Sequence, residues 1–379
     1  MENQNEFFGR LNKIISEQMP DFKEKAEELM ADLYKNSPNI FICGITGVGK
    51  STLINKIFRD EIAKTGIGTP VTTEIRKYHK DNVPINIFDT PGFEIGNNEN
   101  RKKIIDYIEK NSKDSDPKNN IHLMWYCIAG TSSRIEPDEM NFIKEINNKT
   151  NLDIIVLVTK KDLRSVGPDG SIGPDESEIL FNYIKDQNLP ISNILQVSAN
   201  MNINLKELIT ITNQLLPEVF RKAFINAQIV NIEEKEKAAH KWMITYVGSA
   251  AITGIIPIPF SSWIAIVPVQ LTMLIHISII YGLDVDKALL QSLLTGAFTS
   301  SAATILGRFL AGLAKFIPGI GTLVGGIIDA SIAGSITTAI GIAYIKLLSK
   351  AMKSKINGNE LSFEEMNDVL NKEFKKASN

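Results

Sequence analysis

The stretch "NIFICGITGVGKSTLIN", Asn39 to Asn55, decides the fold of this chain. Its first five residues, Asn39 to Cys43, are a short apolar run of the kind that forms a buried strand. Gly44-x-x-x-x-Gly49-Lys50-Ser51 follows, and a helical pattern opens behind it. A strand, a glycine turn and a helix start, in that order, make a loop that wraps phosphate groups. Glycines let the backbone close round the phosphates with its N–H groups pointing inward, and the helix N-terminus adds a positive dipole end. Gly44, Thr46, Gly47, Val48, Gly49, Lys50, Ser51 and Thr52 are the phosphate-binding residues this reading expects. Lys50 would bridge the β and γ phosphates and so act in catalysis, and the Ser51 hydroxyl would bind Mg2+.

Outward from this loop, short apolar runs recur at Ile85 to Phe88, Leu123 to Ile128, Ile154 to Val158 and Ile194 to Val197. Helical patterns intervene, for instance Pro137 to Asn148 and Glu176 to Gln187. Strands alternating with helices imply crossover connections and a sheet covered on both faces. The fold class is therefore α/β, a doubly wound, mainly parallel sheet over residues 37–216. Before it, Asn5 to Lys35 carries Phe7, Phe8, Leu11, Ile14, Ile15, Phe22, Ala26, Leu29, Met30 and Leu33 at helical spacing, interrupted at Pro20. Residues 1–36 read as an N-terminal amphipathic helical segment.

Residues 217–379 read as a second, all-α, apolar C-terminal domain. Glu218 to Lys241 is a charged helical stretch, whose run Glu233-Glu-Lys-Glu-Lys-Ala reads as a solvated helix face. From Trp242 to Leu283 there is no Asp, Glu, Lys or Arg at all. Prolines 257, 259, 268 and 318 punctuate the apolar segments, and "IPIPF" from Ile256 is echoed by "FIPGIG" from Phe316. Ser362 with Glu365 offers a capping box before a last short helix. A span needs about 20 predominantly apolar residues. The run is twice that, so membrane-inserted hairpins, a soluble bundle and re-entrant insertion are all open to it.

The 379 residues exceed what one hydrophobic core usually serves, which agrees with two domains. A formal net charge of -2 provides no global basic field, so no nucleic-acid partner is indicated. The N-terminus lacks a positive segment followed by an apolar run, so a cytoplasmic protein is expected. Cys43 and Cys127 sit within apolar runs and read as core residues. His79, His122, His240 and His276 are scattered singly and receive no chemistry.

Three later motifs refine the ligand. Asp89-Thr-Pro-Gly92 follows the strand "INIF"; its carboxylate can hold Mg2+ through water, and the Gly92 N–H can sense a γ-phosphate. Thr159-Lys-Lys-Asp162 ends the strand "IIVLV". Asp162 there can accept from the N1 and N2 donors of guanine, a pair adenine lacks, and Lys160 would lay its stem along the base. Ser198-Ala199-Asn200 ends "ILQV" and directs the Ala199 N–H at the guanine O6. The ligand these motifs imply is GTP or GDP. In "TGIGTPVTTEIRKYH", Thr72, or alternatively Thr73, would complete the Mg2+ shell and assist catalysis. By resemblance to Ras-like enzymes, which carry a water-orienting glutamine there, Phe93 implies that hydrolysis is slow without a group from elsewhere. Glu94, Arg76 and a second subunit are the candidates.

On these motifs the chain resembles the translation-factor-related superclass of GTPases, of the Era, septin and immunity-related, dynamin-like type. The resemblance places Thr159 where an Asn is usual, a substitution expected to weaken loop tethering more than base choice. Gly44-Ile-Thr-Gly-Val-Gly-Lys-Ser-Thr52 is more similar to septins and immunity-related GTPases than to Era, which usually carries Asn where this chain has Gly47. That Asn helps hold potassium in some members, so no potassium dependence is implied. Residues 240 to 350 resemble a bacterial domain of unknown function found behind such GTPase domains, which implies membrane association at the inner face. The resulting expectation is a GTP-hydrolysing switch with Mg2+ as cofactor, working as a G-domain homodimer and coupled to a membrane surface. The alternative is a soluble regulatory GTPase whose helical domain binds a protein partner.

Overall fold

The computed structural model describes residue 13 and residues 24–58, 75–80, 83–90, 98–132, 134–164, 171–253, 262–283, 332–356 and 358–378. The expectations at Thr69, Thr72, Thr73, Gly92, Phe93 and Glu94, and the echoing segments at Ile256 and Phe316, lie outside the described residues. The chain divides into two compact units, one of Asp32–Asn231, the other of Met1–Ala31 with Ile232–Asn379. Residues 24–35 form helix α1.

The first unit is built on a six-stranded sheet of β1 (Asn39–Cys43), β2 (Arg76–Lys80), β3 (Val83–Asp89), β4 (Leu123–Ala129), β5 (Ile154–Thr159) and β6 (Asn193–Gln196). Its order is β2-β3-β1-β4-β5-β6. All neighbours are parallel except β2 and β3. Helices α2 (Lys50–Ile57), α3 (Asn98–Lys110), α4 (Pro137–Thr150), α5 (Glu176–Asp186), α6 (Leu205–Leu215) and α7 (Glu218–Ala227) surround it. Because strand side chains alternate between faces, each strand feeds two cores. Ile40 and Ile42 of β1 and Leu123, Trp125 and Cys127 of β4 join Leu53, Ile57, Leu208 and Phe224 on one face. Phe41, Cys43, Met124, Tyr126 and Ile128 join Ile104, Ile108, Phe142, Ile146 and Ile184 on the other. The sheet is thus doubly wound, and the order reverses at β1, which opens a crevice at its carboxyl end.

Strand β2 is absent from the sequence expectations. Its sequence, Arg76-Lys-Tyr-His-Lys80, carries no apolar run, because it is an edge strand that buries little and pairs with β3 alone. The second departure is at the C-terminal boundary, expected at 216 and found at Asn231. Helix α7 makes the difference: Phe220, Ala223, Phe224 and Ala227 are buried. Phe224 meets Phe58 edge-on and Phe58 stacks on Trp125. The stretch Glu218 to Lys241 is two helices, broken where Gln228 bridges Phe58 and its side chain exchanges hydrogen bonds with the Asn231 backbone.

The second unit contains α8 (Ile232–Thr253), α9 (Ser262–Tyr281), α10 (Ile332–Ile356) and α11 (Phe363–Ser378). Helix α9 is apolar nearly all round and buries Leu271, Met273, Leu274 and Ile275 completely or nearly so. Polar pairs cross from α9 to α10: Ser278 Oγ to Tyr344 Oη at 2.7 Å, Tyr281 Oη to Ser349 Oγ at 2.7 Å, and Gln270 Nε2 to Thr337 Oγ1 at 3.2 Å. The run Glu233-Glu-Lys-Glu-Lys is not wholly solvated as expected: Lys235 is fully buried and donates to the Ile280 carbonyl at 2.8 Å. The Ser362 and Glu365 capping box closes in both directions. Among the described residues no helix is long and apolar enough to cross a membrane.

Candidate functional site

The phosphate loop occupies the crevice end of β1. Gly44 leaves the strand against β4 so closely that a Cβ on it would lie 2.2 Å from the Cys127 carbonyl oxygen. No other residue fits there. Gly47 and Gly49 have φ of 83° and 97°, and Gly49 caps α2, whose first N–H groups lack helical partners. These are the donors that an anion would satisfy. Lys50 is the first residue of α2, and its Nζ turns back to the Gly44 carbonyl at 2.8 Å and the Ile45 carbonyl at 3.3 Å. Thr46, Gly47 and Thr52 are exposed, Ser51 is half-buried and Val48 is buried.

Asp89 ends β3, directly beside β1, in register with Ile42. Burial pushes its carboxyl up to about 6, against the opposing pull of the Lys50 ammonium, the Thr90 N–H and Arg76. Its Oδ1 is buried and has no hydrogen-bond partner. An orphaned buried carboxylate oxygen with a hydroxyl at the start of α2 forms an oxygen-only donor set, which suits Mg2+. Among the described residues no group of three or more His, Cys, Asp and Glu side chains could hold a metal ion. Ser51 and Asp89 would therefore share the ion with phosphate and water oxygens, as Mg2+ sites commonly do.

The turn that follows β5 is tied to the phosphate loop. Thr159, the last residue of β5, is buried, and its hydroxyl donates to the Val48 carbonyl at 2.6 Å, with the Ile128 carbonyl 3.1 Å away. The tether that the missing asparagine put in question is thus made by a hydroxyl. Lys160 then adopts a φ of 55°, uncommon for a side-chain-bearing residue, and Asp162 lies half-buried in the following turn. The Lys161 N–H donates to the Val197 carbonyl at 3.2 Å, which draws this turn to the loop after β6. In that loop Ser198 is buried, its Oγ accepts from the Met201 N–H at 3.1 Å, and Ala199 is half-buried. The structure therefore brings together the residues of the phosphate loop, Asp89, Thr159 and the loop at Ser198. Thr72 and Gly92 lie outside the described residues. The motif spacing left Lys161 unassigned, and the acidic residues at 175–178 that it meets looked like an ordinary helix start.

A phosphate loop at the switch point of a doubly wound sheet, with two further loops fastened around it, defines a nucleotide-binding α/β domain. Residues 39–161 match the family described as 50S ribosome-binding GTPase. Septin-9 of Rattus norvegicus is 31% identical over 150 residues, 33% of this chain and 26% of septin-9. Ribosome biogenesis GTPase A of Bacillus pumilus is 39% identical over 83 residues, 22% of this chain and 29% of that protein. The chain thus spans between a quarter and a third of the length of these two relatives. Among solved structures, Aquifex aeolicus Era is similar at 21% identity with a TM-score of 0.37, over 48% of this chain and 58% of that one.

Proposed function

We propose that this chain binds and hydrolyses GTP and uses the nucleotide state to set the behaviour of its helical unit. The observation that carries this reading is the hydrogen bond from Thr159 to Val48, which holds the base-reading turn containing Asp162 against the phosphate loop. A ligand spanning both must present phosphates at one end and, opposite Asp162, two adjacent N–H donors at the other, which guanine supplies. Mg2+, when bound through Ser51 and Asp89 with Thr72 in the GTP state, would neutralise charge on the β and γ oxygens. Lys50 holds the same phosphates. With Phe93 after the Asp89-to-Gly92 motif, hydrolysis is slow in the monomer, and G-domain dimerisation supplies the missing group. The charge-free run from Trp242 to Leu283 supports coupling to the inner face of a membrane.

A second reading, a soluble regulatory GTPase whose helical unit binds a protein partner or a ribosome-associated factor, is favoured by one observation. Helices α8, α9 and α10 cover one another and pair their polar groups internally. Sedimentation of the full-length protein with liposomes in the GDP, GTP-analogue and nucleotide-free states separates the two. Pelleting in at least one state supports membrane coupling, and failure in all three excludes it. For the switch itself, Lys50→Ala abolishes GTP binding while the circular dichroism spectrum stays that of the wild type; retained GTP binding would overturn the reading.

A further inference from the structure

The turn that carries Asp162 is fastened by a cluster of charges to which the nucleotide motifs assign no role. Lys161 Nζ lies 2.7 Å from Asp175 Oδ2 and 3.1 Å from Glu178 Oε2. Arg164 Nη2 lies 2.7 Å from the same Asp175 oxygen, and Arg164 Nη1 donates to the Lys161 and Leu163 carbonyls at 3.2 Å each. Asp175 is itself fixed, because it is the N-cap of α5 and its Oδ1 accepts from the Glu178 N–H at 3.1 Å. The two cations flank Asp162 in sequence, and Leu163 closes the turn with a backbone bond to the Lys160 carbonyl at 3.0 Å. The side chains of Lys161, Asp175 and Arg164 are only 18%, 28% and 34% exposed, so the cluster is less screened than an open surface pair.

We propose that Asp175 is a positioning residue for guanine recognition: by pairing with Lys161 and Arg164 it locks the turn between them and so aims the Asp162 carboxylate at the base. This inference rests on the reading of Asp162 as the base reader. A carboxylate that must accept two hydrogen bonds at once tolerates little displacement, whereas phosphate binding at Gly44 to Ser51 does not depend on this turn's angle. Loss of the clamp therefore weakens discrimination more than it weakens phosphate binding. Glu178 serves as a second, more exposed partner for Lys161.

The test is calorimetric titration of full-length protein, with Mg2+, using GDP and IDP, since inosine lacks the N2 amino group that Asp162 reads. Wild type is expected to prefer GDP. Asp175→Asn keeps an N-cap acceptor for α5 but removes the charge, and Lys161→Met removes the cation while leaving Asp175 in place. Each is expected to lower GDP affinity about tenfold with little change for IDP, so the GDP-to-IDP ratio shrinks about tenfold. Lys161→Arg is expected to restore the ratio. An unchanged ratio in both Asp175→Asn and Lys161→Met overturns the clamp. A wild type that binds GDP and IDP equally overturns instead the assignment of Asp162.

Discussion

The Thr159 hydroxyl donates to the Val48 carbonyl at 2.6 Å, so the last residue of one strand holds the phosphate loop that follows another. An apolar side chain of the same shape cannot make this bond. Thr159→Val leaves the Val48 carbonyl without its side-chain donor and is expected to cost about 1–3 kcal/mol of stability. It is also expected to weaken GDP binding about tenfold, since the loop is no longer preorganised. Urea denaturation and GDP titration of the variant check both. Unchanged values would mean that the bond is incidental.

Gly44 and Gly47 make a graded pair. A Cβ on Gly44 collides with the Cys127 backbone oxygen, which has no flexible end to move away. Gly44→Ala is therefore expected to lose about 3 kcal/mol or more. Gly47 has open space around it and only its positive φ to satisfy. Gly47→Ala is expected to lose about 1 kcal/mol. The order of the two denaturation midpoints is the check, and the reverse order would contradict the loop geometry.

His122 gives the fold a pH dependence of known sign. Its Nδ1 accepts from the Asn39 N–H at 2.8 Å, its Nε2 pairs with the Pro117 carbonyl at 2.8 Å, and its ring lies on Phe220. Nδ1 is thus needed as an acceptor, and burial lowers the pKa from 6.5, with the Pro117 bond opposing. The unfolded chain binds the proton more readily, so this contribution is complete above about pH 6.5 and is lost as the pH falls through the depressed folded value. Stability of wild type minus that of His122→Gln is expected to shrink from pH 7.5 to pH 5. A constant difference would contradict the assignment.

The polar pairs of the helical unit are expected to behave as pairs. Tyr281→Phe and Ser349→Ala each leave one buried partner unsatisfied and are expected to cost about 1–3 kcal/mol. The double variant is expected to cost less than the sum of the two, and strict additivity would mean that the groups do not interact.

Legibility from sequence followed locality. The phosphate loop is contiguous, and its glycines announce both the turn and the helix behind it, so Gly44 to Ser51 could be placed without the structure. The other five strands announced themselves as apolar runs, with ends shifted by at most two residues. Strand β2 did not, because Arg76 to Lys80 owes its conformation to pairing with β3 and not to burial. The break before α8 was hidden because it depends on Phe58 and Gln228, far apart in sequence. Thr159 looked like a loss, since an asparagine's tether is read from spacing while a hydroxyl's reach depends on how closely β5 brings it to Val48. The clamp at Asp175 was invisible for the same reason: its partners lie eleven and fourteen residues away from it.

Guanine reading by Asp162 and phosphate holding by the loop around Lys50 are separable by exchanging one side chain. Replacing Asp162 by Asn exchanges an acceptor for a donor opposite N2, where xanthine carries an oxygen in place of the amino group. Titration of wild type and Asp162→Asn with GDP and XDP measures this directly. The wild type is expected to prefer GDP and Asp162→Asn to prefer XDP; unchanged GDP affinity in the variant would overturn the assignment of Asp162.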